Sequence, residues 1–171
     1  MNEAGAVRAR GRAIVKALRR IGDETSSPIT MDTKDARIRL QKIVYLLKSG
    51  GYPPAQKFDF NLYQNGPYSP DLTEVYYLYE DDGIAVAEPA TDVPAPLLEA
   101  VKTADAKGIV FLEALTTALD TTTSVRKQGT AGTGLGPGLG WARSIKPQID
   151  EPVWREVREF LRTHPGLAGT T

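Results

Sequence analysis

The side chains that perform most enzymatic chemistry are scarce in this chain. Histidine occurs once, at His164, and cysteine not at all; thiolate nucleophiles, thiolate metal sites and disulfides are therefore excluded together. A Ser-His-Asp arrangement would have to recruit His164 from beyond the last periodic segment. Carboxylate pairs are always available among 21 Asp and Glu residues, so they assign no glycosidase chemistry by themselves. The stretch Gly129 to Gly140 holds six glycines and Pro137, yet it lacks the Gly-x-Gly-x-x-Gly spacing of a dinucleotide loop and any Gly-Lys-Ser/Thr step. Glu80-Asp81-Asp82-Gly83 invites calcium, but a loop with its glycine at Gly83 needs an acid at Leu78 and a bidentate glutamate at Pro89. The acids are instead expected to be solvated or to meet the Arg37 or Lys42 face. No catalytic residue, cofactor or metal is assigned, and a non-enzymatic protein is expected.

Two patterns remain that suit binding. Tyr63, Asn65, Gly66, Pro67, Tyr68 and Tyr76 combine turn-forming residues with amphipathic rings of the kind enriched at protein interfaces. They are the candidate contacts to a protein partner. The second pattern is basic: Arg8, Arg12, Lys16, Arg19 and Arg20 circle a first helix, and Lys34, Arg37, Arg39 and Lys42 follow on a second. With Tyr45, Tyr52 and Tyr63 as stacking surfaces, this second set makes a winged-helix-like nucleic-acid binder the alternative. The net charge is zero, but residues 1–48 carry eleven Lys or Arg against five Asp or Glu, whereas residues 71–105 carry nine acids against Lys102 alone. Segments of opposite sign can steer a partner or face one another in the fold.

These residues must be positioned by elements legible in the periodicity. Val7, Ile14, Leu18 and Ile21 share one helical stripe ending at Gly22. Asp32 or Thr33 can cap a second helix with Leu40, Ile43, Val44 and Leu47 on its core face, closed by Gly50-Gly51. From Phe58 the period becomes two, with Phe58, Phe60 and Leu62 on one face, so a half-buried strand is expected. Asn65-Gly66-Pro67 breaks it, Ser69 is placed as an N-cap, and Pro70 opens a helix running to about Asp82-Gly83. Ile84 to Ala87 reads as a short return strand. Helices follow after Pro94 and Pro96, through Ile109 to Leu119, over Trp141 to Ile145, and after Asp150 through Leu161. The glycine stretch reads as a mobile loop and the tail after His164 as frayed.

The expectation is a mainly α single domain with a small β-hairpin or short sheet. Within 1–171, residues 1–30 form a basic helix and connector, 31–125 the core, 126–140 a glycine-rich loop and 141–164 the C-terminal helices. A chain of 171 residues can bury roughly 70% of the surface its unfolded form exposes. Its longest apolar run, Ile43 to Leu47, cannot span a hydrocarbon layer of about 30 Å. The arginines among Val7 to Ile21 break any signal-peptide pattern, and a cytoplasmic protein without a membrane partner is the simplest reading.

The segment Leu40-Gln41-Lys42-Ile43-Val44-Tyr45, the extended Phe58 to Tyr63, the turn Asn65-Gly66-Pro67-Tyr68-Ser69-Pro70 and the helix ending in Asp82-Gly83 together resemble the SocA-like Panacea antitoxin domains, and look nearest to their YwgA-like relatives. Lys146-Pro147 before a capped terminal helix is also similar. The resemblance covers about 45 residues strongly and about 130 loosely, leaving out Met1 to Thr30 and the glycine stretch. It implies a helix-rich domain acting by protein contact: binding and neutralising a partner, such as a toxin encoded nearby. It carries over no catalytic residues.

Overall fold

A computed structural model describes residues 3–80, 92–129 and 135–169. Among them are seven α-helices and one two-stranded antiparallel sheet: α1 (Glu3–Thr25), α2 (Lys34–Ser49), β1 (Asn61–Tyr63), β2 (Gly66–Tyr68), α3 (Thr73–Glu80), α4 (Ala95–Ala106), α5 (Ile109–Lys127), α6 (Leu135–Ile145) and α7 (Glu151–Thr163). The helix-rich α+β domain expected from the periodicity is the fold.

Helix α2 forms where its caps demand. Thr33 is extended and its Oγ1 accepts the Ala36 N–H at 3.1 Å, satisfying one of the free donors of the first turn. At the other end the Gly50 N–H reaches the Leu46 carbonyl at 2.9 Å, and Gly51 turns the chain away at φ +83°. Between them every residue from Leu40 to Leu47 is buried. Leu40, Ile43, Val44 and Leu47 each contribute roughly 1.5–3 kcal/mol by leaving water. The polar Gln41 and Lys42 are buried with them and must therefore find partners inside.

Helix α5 packs against α2, α6, α7 and β2. Four of its threonines, Thr116, Thr117, Thr121 and Thr122, are buried. The Thr116 hydroxyl returns to its own helix, donating to the Leu112 carbonyl at 2.8 Å.

Several expectations are corrected. Of the loop placed at 126–140, residues 126–127 close α5 and 135–140 open α6. Gly138 is helical because close approach requires it: a Cβ there would stand 2.2 Å from Thr122 Oγ1, while Thr121 Oγ1 donates to the Gly138 carbonyl at 2.7 Å. Tertiary packing thus overrides low helix propensity. The described part of the tail, residues 165–169, is not loose: Pro165–Ala168 forms a 3-10 turn, Leu167 is buried, and Arg126 holds the carbonyls of Ala168 and Gly169. The first helix continues past Gly22 to Thr25. The expected strand from Phe58 is shortened to Asn61–Tyr63, and its partner is Gly66–Tyr68, so Gly66 and Pro67 are paired residues of the sheet. Phe58 is buried and Phe60 half-buried as the alternation requires, but Leu62 is exposed. Ser69 makes no side-chain cap bond. The return strand at Ile84 to Ala87 and the acidic pair Asp81-Asp82 lie outside the described residues.

Among the described residues the two oppositely charged segments meet in ion pairs. Arg39 forks onto Asp105 through two bonds of 2.7 Å, and Arg20 lies 3.6 Å from Asp92.

Candidate functional site

The hairpin is held by two buried lysines. Lys42 reaches from the middle of α2 and its Nζ donates to the Pro67 carbonyl at 2.7 Å. Lys146, just beyond α6, donates to the Gln64 carbonyl and pairs with Glu113 of α5 at 2.8 Å. Both side chains are nearly inaccessible, and each grips a carbonyl on one side of the turn at Gln64-Asn65. Burial drives the Lys42 ammonium down from its usual range to about 7; Glu113 and Asp120 oppose that shift and Lys146 adds to it. Gly66 sits against this clasp at φ +83°. A Cβ there would meet Thr117 Oγ1 at 2.9 Å and Lys42 Nζ at 3.2 Å, so a side chain would have to displace them while strained at positive φ.

A third polar bridge ties the strand exit to α2. The Gln41 side-chain oxygen accepts the Ser69 N–H at 2.9 Å, while its Nε2 donates to the Ser69 carbonyl at 3.0 Å and to the Tyr76 hydroxyl at 2.7 Å. Because Ser69 N–H can only donate and its carbonyl only accept, the orientation of the Gln41 amide is fixed. Burial raises the Tyr76 phenol above its ordinary range.

In front of these bridges lies a cleft of about 360 Å³ between the N-terminal half of α2, the hairpin and α3. Tyr63, Asn65, Gly66, Tyr68 and Tyr76, five of the six contact candidates, line it together. Pro67 is buried and acts from behind through its carbonyl. Tyr63 and Tyr68 meet edge to face, with ring centroids 5.4 Å apart. Leu62, Tyr63 and Tyr68 are exposed on the hairpin, and Tyr77 is 73% exposed on α3.

No family model, curated protein or solved structure matches this chain.

The basic candidates are dispersed differently. Lys34 and Arg37 line the same cleft. Arg39 is committed to Asp105 and Lys42 to the hairpin, so neither adds to an exposed basic face. On α1, Lys16 and Arg20 are exposed, and Arg20 is paired with Glu24 at 2.9 Å; Arg12 and Arg19 are half-buried, and the Arg8 side chain lies outside the described residues. The rings expected to stack bases are corrected too: Tyr45 and Tyr52 belong to the core, with Tyr45 bonded to Asp120 at 3.2 Å. His164 stacks on Phe160 at 4.2 Å, and its Nδ1 lies 2.9 Å from the Phe160 carbonyl. Among the described residues no group of three or more His, Cys, Asp and Glu is placed to hold a metal ion, and no helix is long and apolar enough to cross a membrane.

Sequence reasoning missed Lys146, Glu113 and Gln41 as parts of this site. The available signal was a polar Gln-Lys pair inside the apolar run of α2, for which a buried helix must supply internal partners.

Proposed function

We propose that this chain is a non-enzymatic, antitoxin-like interaction module that binds and neutralises a partner protein in the cytoplasm, gripping it with the tyrosine-bearing hairpin and the cleft beside it. One observation carries the reading: the exposed rings Tyr63 and Tyr68 pair edge to face on a hairpin immobilised by Lys42, Lys146 and Gln41. Exposed aromatics cost little conformational entropy on binding when their support is already rigid. The charge lining the cleft favours a partner with an acidic face. The resemblance of the Leu40 to Tyr45 and Asn65 to Pro70 motifs to Panacea antitoxin domains supports the same reading. The nucleic-acid alternative draws less support, since Arg20, Arg39 and Lys42 are engaged internally.

The test is neutralisation. The chain is co-expressed with each protein encoded beside it, as wild type and as Tyr63→Ala and Tyr68→Ala variants. Relief of a neighbour's toxicity by wild type, lost in variants with unchanged melting temperature, is expected. Equal relief by all three would place the contact elsewhere.

A further inference from the structure

The cleft has a chemical bias that its aromatic walls do not explain. Its charged lining residues are Lys34, Arg37 and Lys42, all basic. Arg37 spends one arm on the Met31 carbonyl at 2.8 Å and keeps the remaining guanidinium donors. The fixed amide of Gln41 uses both of its protons, one on Ser69 and one on Tyr76. The Tyr76 oxygen is thereby an acceptor, which leaves the Tyr76 proton to be donated elsewhere. Arg37 and Tyr68 line the same cleft as the Tyr76 hydroxyl. A phenol donor held by an oriented amide, with a guanidinium beside it and an ammonium at the rim, is a receptor for a planar anion.

We infer that this cleft recognises a carboxylate: an Asp or Glu side chain on an exposed acidic segment of the partner protein, bound by Tyr76, Arg37 and Lys34 beside the paired rings of Tyr63 and Tyr68. The inference rests on the protein-docking reading and names the chemistry it selects. Lys42 is excluded from direct contact because its amine is turned to Pro67 behind the hairpin. Charge-assisted hydrogen bonds from Tyr76 and Arg37 supply specificity, and the rings supply area.

The probe is a fluorescein-labelled octapeptide of alternating Glu and Ala, blocked at both ends, followed by fluorescence polarisation on the full chain at low ionic strength. Its Gln counterpart and an oligothymidylate of equal charge are run beside it. The acidic peptide is expected to bind at least tenfold more tightly than the Gln peptide. Tyr76→Phe, which keeps the ring and removes only the proton, should weaken it about tenfold, as should Arg37→Gln. Since Arg37 also anchors Met31, Lys34→Gln on the exposed first turn serves as the second variant, with a loss of a few fold. Equal affinity for the Gln peptide, or indifference to Tyr76→Phe, overturns the inference. So does tighter binding of oligothymidylate with the same sensitivity to Tyr76, which would assign the site to phosphate. A neighbouring protein whose neutralisation needs Tyr63 but neither Tyr76 nor Arg37 would leave the docking reading intact and remove this one. A Glu peptide lost with Tyr76→Phe, beside neutralisation indifferent to Tyr63 and Tyr68, would do the reverse.

Discussion

A cleft of about 360 Å³ beside the hairpin and another of about 340 Å³ beneath α4 are nearly equal in size. The second is lined by Gly50, Pro94, Pro96, Leu97, Pro165 and Leu167, with His164 at its side. The Nδ1 of this imidazole is already turned to the Phe160 carbonyl, and its face is covered by the Phe160 ring. The first presents Arg37, Lys34 and the Tyr76 hydroxyl, each with donors to spare, on walls pinned by buried lysines. Volume therefore does not distinguish a binding site from a packing gap; unspent hydrogen-bond donors on a rigid support do.

The comparison breaks most directly at Gly66. Gly66→Val forces a branched side chain into positive φ and against Thr117 and Lys42, so urea unfolding should show a loss of about 2–4 kcal/mol. Neutralisation and peptide binding should vanish with it. A variant as stable as wild type would show that the clasp tolerates displacement.

The clasp itself has a pH signature. In the unfolded chain the Lys42 amine keeps its proton up to about 10.5, whereas in the folded chain it loses it near 7. Between those values the unfolded state binds more protons, so this residue's contribution to stability rises with pH across the window. Relative to Lys42→Met, wild type should gain about 2 kcal/mol from pH 7 to pH 9, read as the difference in urea unfolding free energies. A flat difference would mean that Glu113 keeps Lys42 charged.

The second cleft supplies the control. Gly50→Ala brings a Cβ to 2.2 Å from Leu97 Cδ1, but the Gly50 backbone at φ −80° accepts alanine and the Leu97 side chain can turn. The expected cost is about 1 kcal/mol, with neutralisation unchanged. Loss of neutralisation here would make the two clefts one functional unit. Smallest in stability is Tyr77→Ala on α3. Its ring is 73% exposed, so melting should shift by no more than about 0.5 kcal/mol in equivalent stability, while partner affinity drops severalfold. Unchanged affinity would confine the contact to the hairpin.

Much of the scaffold was readable because its signals are local. Thr33 capped α2, Gly50-Gly51 closed it, and the stripes of α4, α5 and α7 fell on core faces. The candidate rings were also legible: Tyr63, Tyr68 and Tyr76 converge on one cleft. Errors arose where a distant contact outweighed local preference. Gly138 became helical because α5 lies against it, and Tyr45 and Tyr52 were drawn into the core although their spacing left them free to face outward.

The order of residues alone determined the core stripes of α2, α4, α5 and α7 and both ends of α2 at Thr33 and Gly50-Gly51, since each depends on backbone preferences and neighbours within a few positions. Only the tertiary structure decided that Lys42 and Lys146 would point inward. A lysine is removed from water only when remote carbonyls and a remote carboxylate stand ready to receive it, and Gln64, Pro67 and Glu113 are brought to that place by the packing of α2, α5 and the hairpin.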